Sequence, residues 1–110
     1  MNPGIYYVTF SAATTDFGWG LVVVDNGKLH GGDLSYLYRG RYEVNAGILE
    51  ASIQVSHYQG ALNSVFGPLK SFSLILVGNL TQTGFSLSGH VEGQPRMTIT
   101  ILGEKKADLV

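Results

Sequence analysis

Alternation limits this chain more than any other feature. Along most of its 110 residues, apolar and polar side chains swap with a period of two, and no long stretch follows helical spacing. A strand sends successive side chains to opposite faces, so such alternation marks a strand with one buried face. Tyr6, Val8 and Phe10 share a face of the first strand, which opens at Gly4. Thr14-Thr15-Asp16 reads as a polar turn into a second strand, Phe17 to Val24, which Asp25-Asn26-Gly27 closes. An Asn-Gly pair between apolar runs signals a hairpin, because both residues tolerate positive φ. Lys28-Leu29-His30 begins a short third strand leading to Gly31-Gly32-Asp33, where Asp33 is placed to cap a single helical turn over Leu34-Ser35-Tyr36-Leu37.

The cleanest alternation follows. Tyr38, Gly40, Tyr42 and Val44 face one way, against Arg39, Arg41, Glu43 and Asn45. Beyond an Asn45-Ala46-Gly47 turn, Leu49, Ala51, Ile53, Val55 and His57 oppose Glu50, Ser52, Gln54 and Ser56. Residues 59–68 form a loop with room for a short helical turn. Three more strands are predicted at Ser71–Leu80, Gly84–Glu92 and Arg96–Leu102, the last two joined by Gly93-Gln94-Pro95. The expected domain spans 1–103, with a loose tail over 104–110. An open antiparallel meander of this length leaves sticky edges, and closure removes them. The fold class is therefore all-β: a single eight-stranded antiparallel up-and-down barrel with at most one short helical turn. A two-sheet sandwich needs a longer crossover, which only Gln59–Lys70 could supply.

Composition narrows the function. Seven Lys+Arg against eight Asp+Glu give a net charge of -1, without the basic footprint of direct nucleic-acid binding. The absence of cysteine excludes disulfides and thiolate metal sites. No apolar run approaches the roughly 20 residues of a membrane-spanning helix. Met1-Asn2-Pro3-Gly4 lacks the pattern of a secretory signal, so a cytoplasmic location with no membrane role is expected. A mean hydropathy of +0.16 with 14% charged residues predicts apolar surface that meets a partner or a second copy.

Two candidate sites emerge. Inward parity gathers Tyr38, Tyr42, His57, Phe72 and Phe85 with Val44, Leu49, Ile53, Val55, Leu74, Leu76, Leu87, Val91, Met97, Ile99 and Ile101. This set is either a lumen for a small apolar ligand or an ordinary packed core. Gly40, Ala51, Gly78 and Gly89 on the same parity either leave space or mark bends. His57 is a polar anchor in such a pocket, or a histidine that meets a backbone carbonyl. Outward parity gathers Arg39, Arg41 and Glu43, with Glu50 across the turn, as a polar contact for a partner or as a solvated face held by cross-strand pairing. Trp19, with Phe17, supplies the apolar half of that contact or plugs one barrel end.

His30 and His90 lack ligand spacing, so no metal is expected. No catalytic constellation is evident: Ser52, Ser56, Ser86, Ser88, Thr98 and Thr100 lie on outward parity, and no nucleophile elbow or phosphate loop appears. Gly18-Trp19-Gly20 lacks the third glycine of a dinucleotide site, and Asn79-Leu80-Thr81 reads as a chance glycosylation triplet. A non-enzyme without cofactor is expected.

The order of Gly4-Ile5-Tyr6, glycine punctuation in the second strand, Asn26-Gly27, Gly31-Gly32-Asp33 and Tyr38-Arg39-Gly40 resembles the GrlR-like family, small negative regulators of type III secretion genes. The resemblance covers residues 4–102 and is most specific from Gly31 to Gly40. It implies a lipocalin-like (calycin) barrel, a homodimer, and protein binding that sequesters a helix-turn-helix transcriptional activator. The family's regulator uses an acidic Glu-Asp-Glu-Asp motif in the loop after its Tyr-x-Gly strand. The corresponding stretch here, Glu43-Val44-Asn45-Ala46-Gly47-Ile48, has one acid. The resemblance thus implies another protein as partner, a transcriptional regulator in the family, without carrying over its identity. The alternative is a lumenal carrier or sensor of a small apolar ligand.

Overall fold

A computed structural model describes residues 1–12 and 17–110, so the Thr14-Thr15-Asp16 turn lies outside the described residues. The strands are β1 (Gly4–Ala12), β2 (Phe17–Asp25), β3 (Lys28–Gly32), β4 (Tyr36–Asn45), β5 (Ile48–His57), β6 (Ser71–Leu80), β7 (Gly84–Val91) and β8 (Gln94–Ala107). Each pairs antiparallel with the next, and β8 pairs with β1 to close an eight-stranded barrel. Closure gives every strand a neighbour on both sides, although β3 is short and leaves Phe17–Gly20 of β2 and Tyr42–Asn45 of β4 paired on one side only.

Two hairpins are set by their turn residues. Asn26 and Gly27 lie at φ 50 and 77, and Ala46 and Gly47 at φ 51 and 82. Positive φ at both central residues is the two-residue turn whose twist matches the flanking strands.

Three expectations are corrected. No helix occurs among the described residues, so neither Leu34–Leu37 nor residues 59–68 form a helical turn. Asp33 does accept backbone N–H groups, from Ser35 and Tyr36 at 2.8 Å each, but its own N–H donates to the Tyr36 carbonyl at 2.9 Å. That bond makes a tight β3–β4 turn, and burial of Tyr36 and Tyr38 then draws the chain into β4. Second, the barrel does not end at residue 103. Glu104, Lys105 and Ala107 pair with Tyr7, Tyr6 and Ile5 across a register shift. The start of β1 needs this partner, or its backbone groups would form an open edge. Third, Val44 is 38% exposed. β3 pairs with β4 only as far as Arg41, which leaves Val44 with a neighbouring strand on one side.

The core fills the barrel. Tyr6, Val24, Leu49 and Leu87 are its most buried large side chains. The inward glycines mark coiling rather than space. A Cβ on Gly78 would overlap the Ser86 carbonyl oxygen, and one on Gly89 the Ile75 carbonyl oxygen. Strands β6 and β7 approach this closely only because neither position carries a side chain.

Candidate functional site

One mouth of the barrel is covered by the segment between β5 and β6. Val65 from this segment is buried in the core, and Phe66 meets Phe72 edge to face at 5.5 Å. Hydrogen bonds from both sides strap the cap down. The Tyr36 hydroxyl donates to the Leu69 carbonyl (2.7 Å), and the His57 N–H to the Lys70 carbonyl (2.7 Å). The Tyr58 hydroxyl and N–H donate to the carbonyls of Asp33 (2.8 Å) and Ser35 (2.9 Å).

Beneath the cap, the Tyr38 hydroxyl donates to Asp33 Oδ2. Burial pushes the Tyr38 phenol far above the ordinary tyrosine range, reinforced by this hydrogen bond and by the negative charge of Asp33. The pair is internally satisfied and offers little to a ligand. The remaining cavity is about 70 Å³, walled by apolar residues that include Val8, Ile53, Leu74, Leu87 and Ile101. Ligand pockets generally run to roughly 300–1,000 Å³. Even a dry engineered cavity that admits benzene is about 150 Å³.

Of the lumen candidates, Tyr38, Phe72 and Phe85 line this cavity. Tyr42 packs on the core without reaching the cavity. His57 sits at the rim with Nε2 2.9 Å from the Gly60 carbonyl, the backbone partner weighed above. Sequence reasoning missed Val65 and the roles of Asp33, Tyr36 and Tyr58. Asp33 after two glycines was a visible turn signal, but Val65 lies in a segment without periodicity.

The outer surface is more uneven. On β1 and β2 the outward pairs are Ser11–Phe17, Thr9–Trp19, Tyr7–Leu21 and Ile5–Val23. Phe17 is 72% exposed, Trp19 59% and Leu21 53%. Trp19 therefore lies on the outer wall and does not plug an end. Exposed Leu102 on β8 extends the face beside Thr9, and exposed Leu37 on β4 extends it across Gly32 from Leu21. Neither β1 nor Phe17–Val24 of β2 carries a charged residue.

Arg39, Arg41, Glu43 and Glu50 all point outward and are exposed. The register does not produce the cross-strand pairing considered for them. Glu43 faces Glu50, Arg39 faces Gln54 and Arg41 faces Ser52. Arg39 Nη2 donates to Gln54 Oε1 at 3.4 Å, while the ion pairs among the described residues are Lys105–Asp108 and Lys106–Glu104. On its other side, β4 sets Arg39 opposite His30 and Arg41 opposite Lys28. The arginines thus join a basic ladder on β3–β4, next to the apolar face on β2. No group of three or more potential metal ligands is gathered among the described residues. No helix among them is long and apolar enough to cross a membrane.

Compared with known proteins, the chain matches no family model and no curated protein.

Proposed function

We propose that this chain is a non-enzymatic, cytoplasmic regulatory module that acts by occupying a partner protein's surface, in the manner of the GrlR-like regulators it resembles. The observation that carries this reading is the apolar face on β1–β2, extended by Leu102 of β8, over which β1 and Phe17–Val24 of β2 carry no charged residue. Phe17 and Trp19 alone leave on the order of 250 Å² open, since a buried aromatic side chain covers about 150–250 Å². Adding Tyr7, Leu21 and Leu102 brings the face toward the upper end of the roughly 300–600 Å² of the largest patch on a typical monomer, which is often functional. Aromatic anchors with this exposure are what interfaces use as hot spots. The carrier reading is weaker, because a cavity of about 70 Å³ would have to grow several-fold and the strapped cap would have to lift.

A photo-crosslinking amino acid at Thr9, in the middle of the face, tests the proposal in cells. A foreign protein should be captured, and capture should be lost in a Trp19→Ser/Leu21→Ser variant whose thermal unfolding is unchanged. A product insensitive to that variant, or no product, would refute the reading. Capture of a second copy alone would assign the face to the homodimer instead.

A further inference from the structure

Strand β3 is too short to cover its neighbours. Its five residues pair with residues 21–25 of β2, so residues 17–20 have β1 on one side and, among the described residues, no strand on the other. We infer that this edge of β2 accepts an extended, uncharged segment of the partner protein as an added strand, apolar on its outer face, an inference that rests on the interaction reading above. The direction of the open groups follows from the hairpin. Asp25 and Lys28 flank a two-residue turn and exchange both backbone bonds, so by alternation Val23 and Leu21 also aim their N–H and C=O groups at β3. Trp19 and Phe17 share that parity. Their N–H and C=O groups therefore point into the space beyond Gly32, which the chain leaves as the Asp33 N–H bonds to the Tyr36 carbonyl. Among the described residues, no backbone bond from outside the strand ladders reaches Trp19 or Phe17.

Backbone groups at strand spacing are matched by another strand, and in that mode of recognition main-chain bonds supply the affinity while side chains supply the specificity. A residue bonded opposite Trp19 or Phe17 sends its side chain to the same outer face, with Cβ roughly 5 Å from that of the exposed aromatic. Residues opposite Gly18 and Gly20 turn inward, where the rings of Phe10 and Tyr38 stand close behind the glycines and leave room for small side chains. Neither β1 nor residues 17–24 carry a charge, so a charged group set between those aromatics would lose water without gaining a counter-charge. Natural edges are commonly blunted by lysine, proline or a bulge, and Phe17-Gly18-Trp19-Gly20 has none of these. The other stretch that β3 leaves open, residues 42–45 of β4, is a poorer dock. The Tyr42 N–H there already donates to the Gly27 carbonyl at 3.0 Å, and Glu43 faces Glu50 beside it.

Amide hydrogen exchange reads the edge directly. In the free protein the Trp19 amide should exchange about tenfold or more faster than those of Leu21 and Val23, which bond to β3. The probe is an acetylated and amidated peptide of about seven residues, close to an ordinary strand length, alternating valine with serine. It should slow exchange at Phe17 and Trp19 and blue-shift the emission of Trp19, the one tryptophan in the chain. N-methylation at the valines, whose amides would face β2, should weaken binding about tenfold or more, and N-methylation at the serines about twofold or less. Replacing the valines by glutamates should abolish binding. Equal losses from the two methylated peptides, undiminished binding of the glutamate peptide, binding that leaves the Trp19 amide unprotected, or no binding at all would each overturn the inference. So would protection of Trp19 in the free protein, and protection that rises with protein concentration would give the edge to a second copy instead. Failure here, with capture at Thr9 intact and still lost in the Trp19→Ser/Leu21→Ser variant, would remove the added strand and leave the interaction reading standing.

Discussion

Strands β2 and β5 do the same work inside the barrel and opposite work outside it. Both alternate, and both bury their inward side chains: Val22 and Val24 on one, Leu49, Ala51, Ile53 and Val55 on the other. Outward, β5 presents Glu50, Ser52, Gln54 and Ser56, as a strand facing water should, whereas β2 presents Phe17, Trp19, Leu21 and Val23. Barrel closure constrains only the inward parity, and outward parity is free to carry polar or apolar groups. Exposed apolar groups carry an aggregation risk that polar ones avoid; Ile75 and Val77 on β6 carry it too, but the exposed aromatics Phe17 and Trp19 both stand on β2.

The largest effects should come from the face the two strands share. Leu49→Ala on β5 should cost about 2–5 kcal/mol and Val24→Ala on β2 about 2 kcal/mol, read by urea denaturation. If the β2 truncation were neutral, the two strands would not be equivalent inside and the comparison would fail.

Between them stands a polar pair of the interior, Tyr38 on β4 with Asp33. Tyr38→Phe should cost about 1–2 kcal/mol at neutral pH by leaving Asp33 Oδ2 without its phenol donor. The same pair sets an alkaline limit. The folded phenol holds its proton above the ordinary value, so below about pH 10 the full stability is present. As pH rises past that point the unfolded chain loses a proton that the folded chain keeps, and stability falls. Unfolding free energies measured between about pH 8 and 11 should decline less steeply in the Phe variant. Some slope will remain, because burial also raises the Tyr6 phenol.

The smallest effect separates the turns beside these strands. The turn leaving β2 uses Asn26 at φ 50, which asparagine tolerates, whereas the turn entering β5 uses Ala46 at φ 51, where a Cβ is strained. Ala46→Asn should therefore add up to about 1 kcal/mol, visible as a rise in Tm, with no counterpart gain available at Asn26. A neutral or destabilising result would show that the β4–β5 turn carries no such strain.

Much of the barrel was legible in the sequence because its signals are local. Period two assigns parity, Asn26-Gly27 fixes a hairpin, and the charged run of β4 against the polar run of β5 orients both strands. The candidate site was legible in part. Trp19, Arg39 and Arg41 could be marked as outward, but not their neighbours. Which charge faces which depends on register, and register set Glu43 against Glu50 and the arginines against Lys28 and His30. The end of β8 was misread because Glu104-Lys105-Lys106 has the look of a solvated tail. It is a strand only because β1 lies beside it.

The sequence by itself determined the class of fold, the strand order and most of the inward set, Val44 excepted, since alternation and turn chemistry act between residues close along the chain. Tertiary structure decided the rest: that Gly78 and Gly89 permit coiling instead of leaving a lumen, that Val65 caps the mouth, and that an apolar wall adjoins a basic ladder. Those outcomes depend on atoms from distant segments meeting across the barrel, and the distance between strands in space is not written in their separation along the chain.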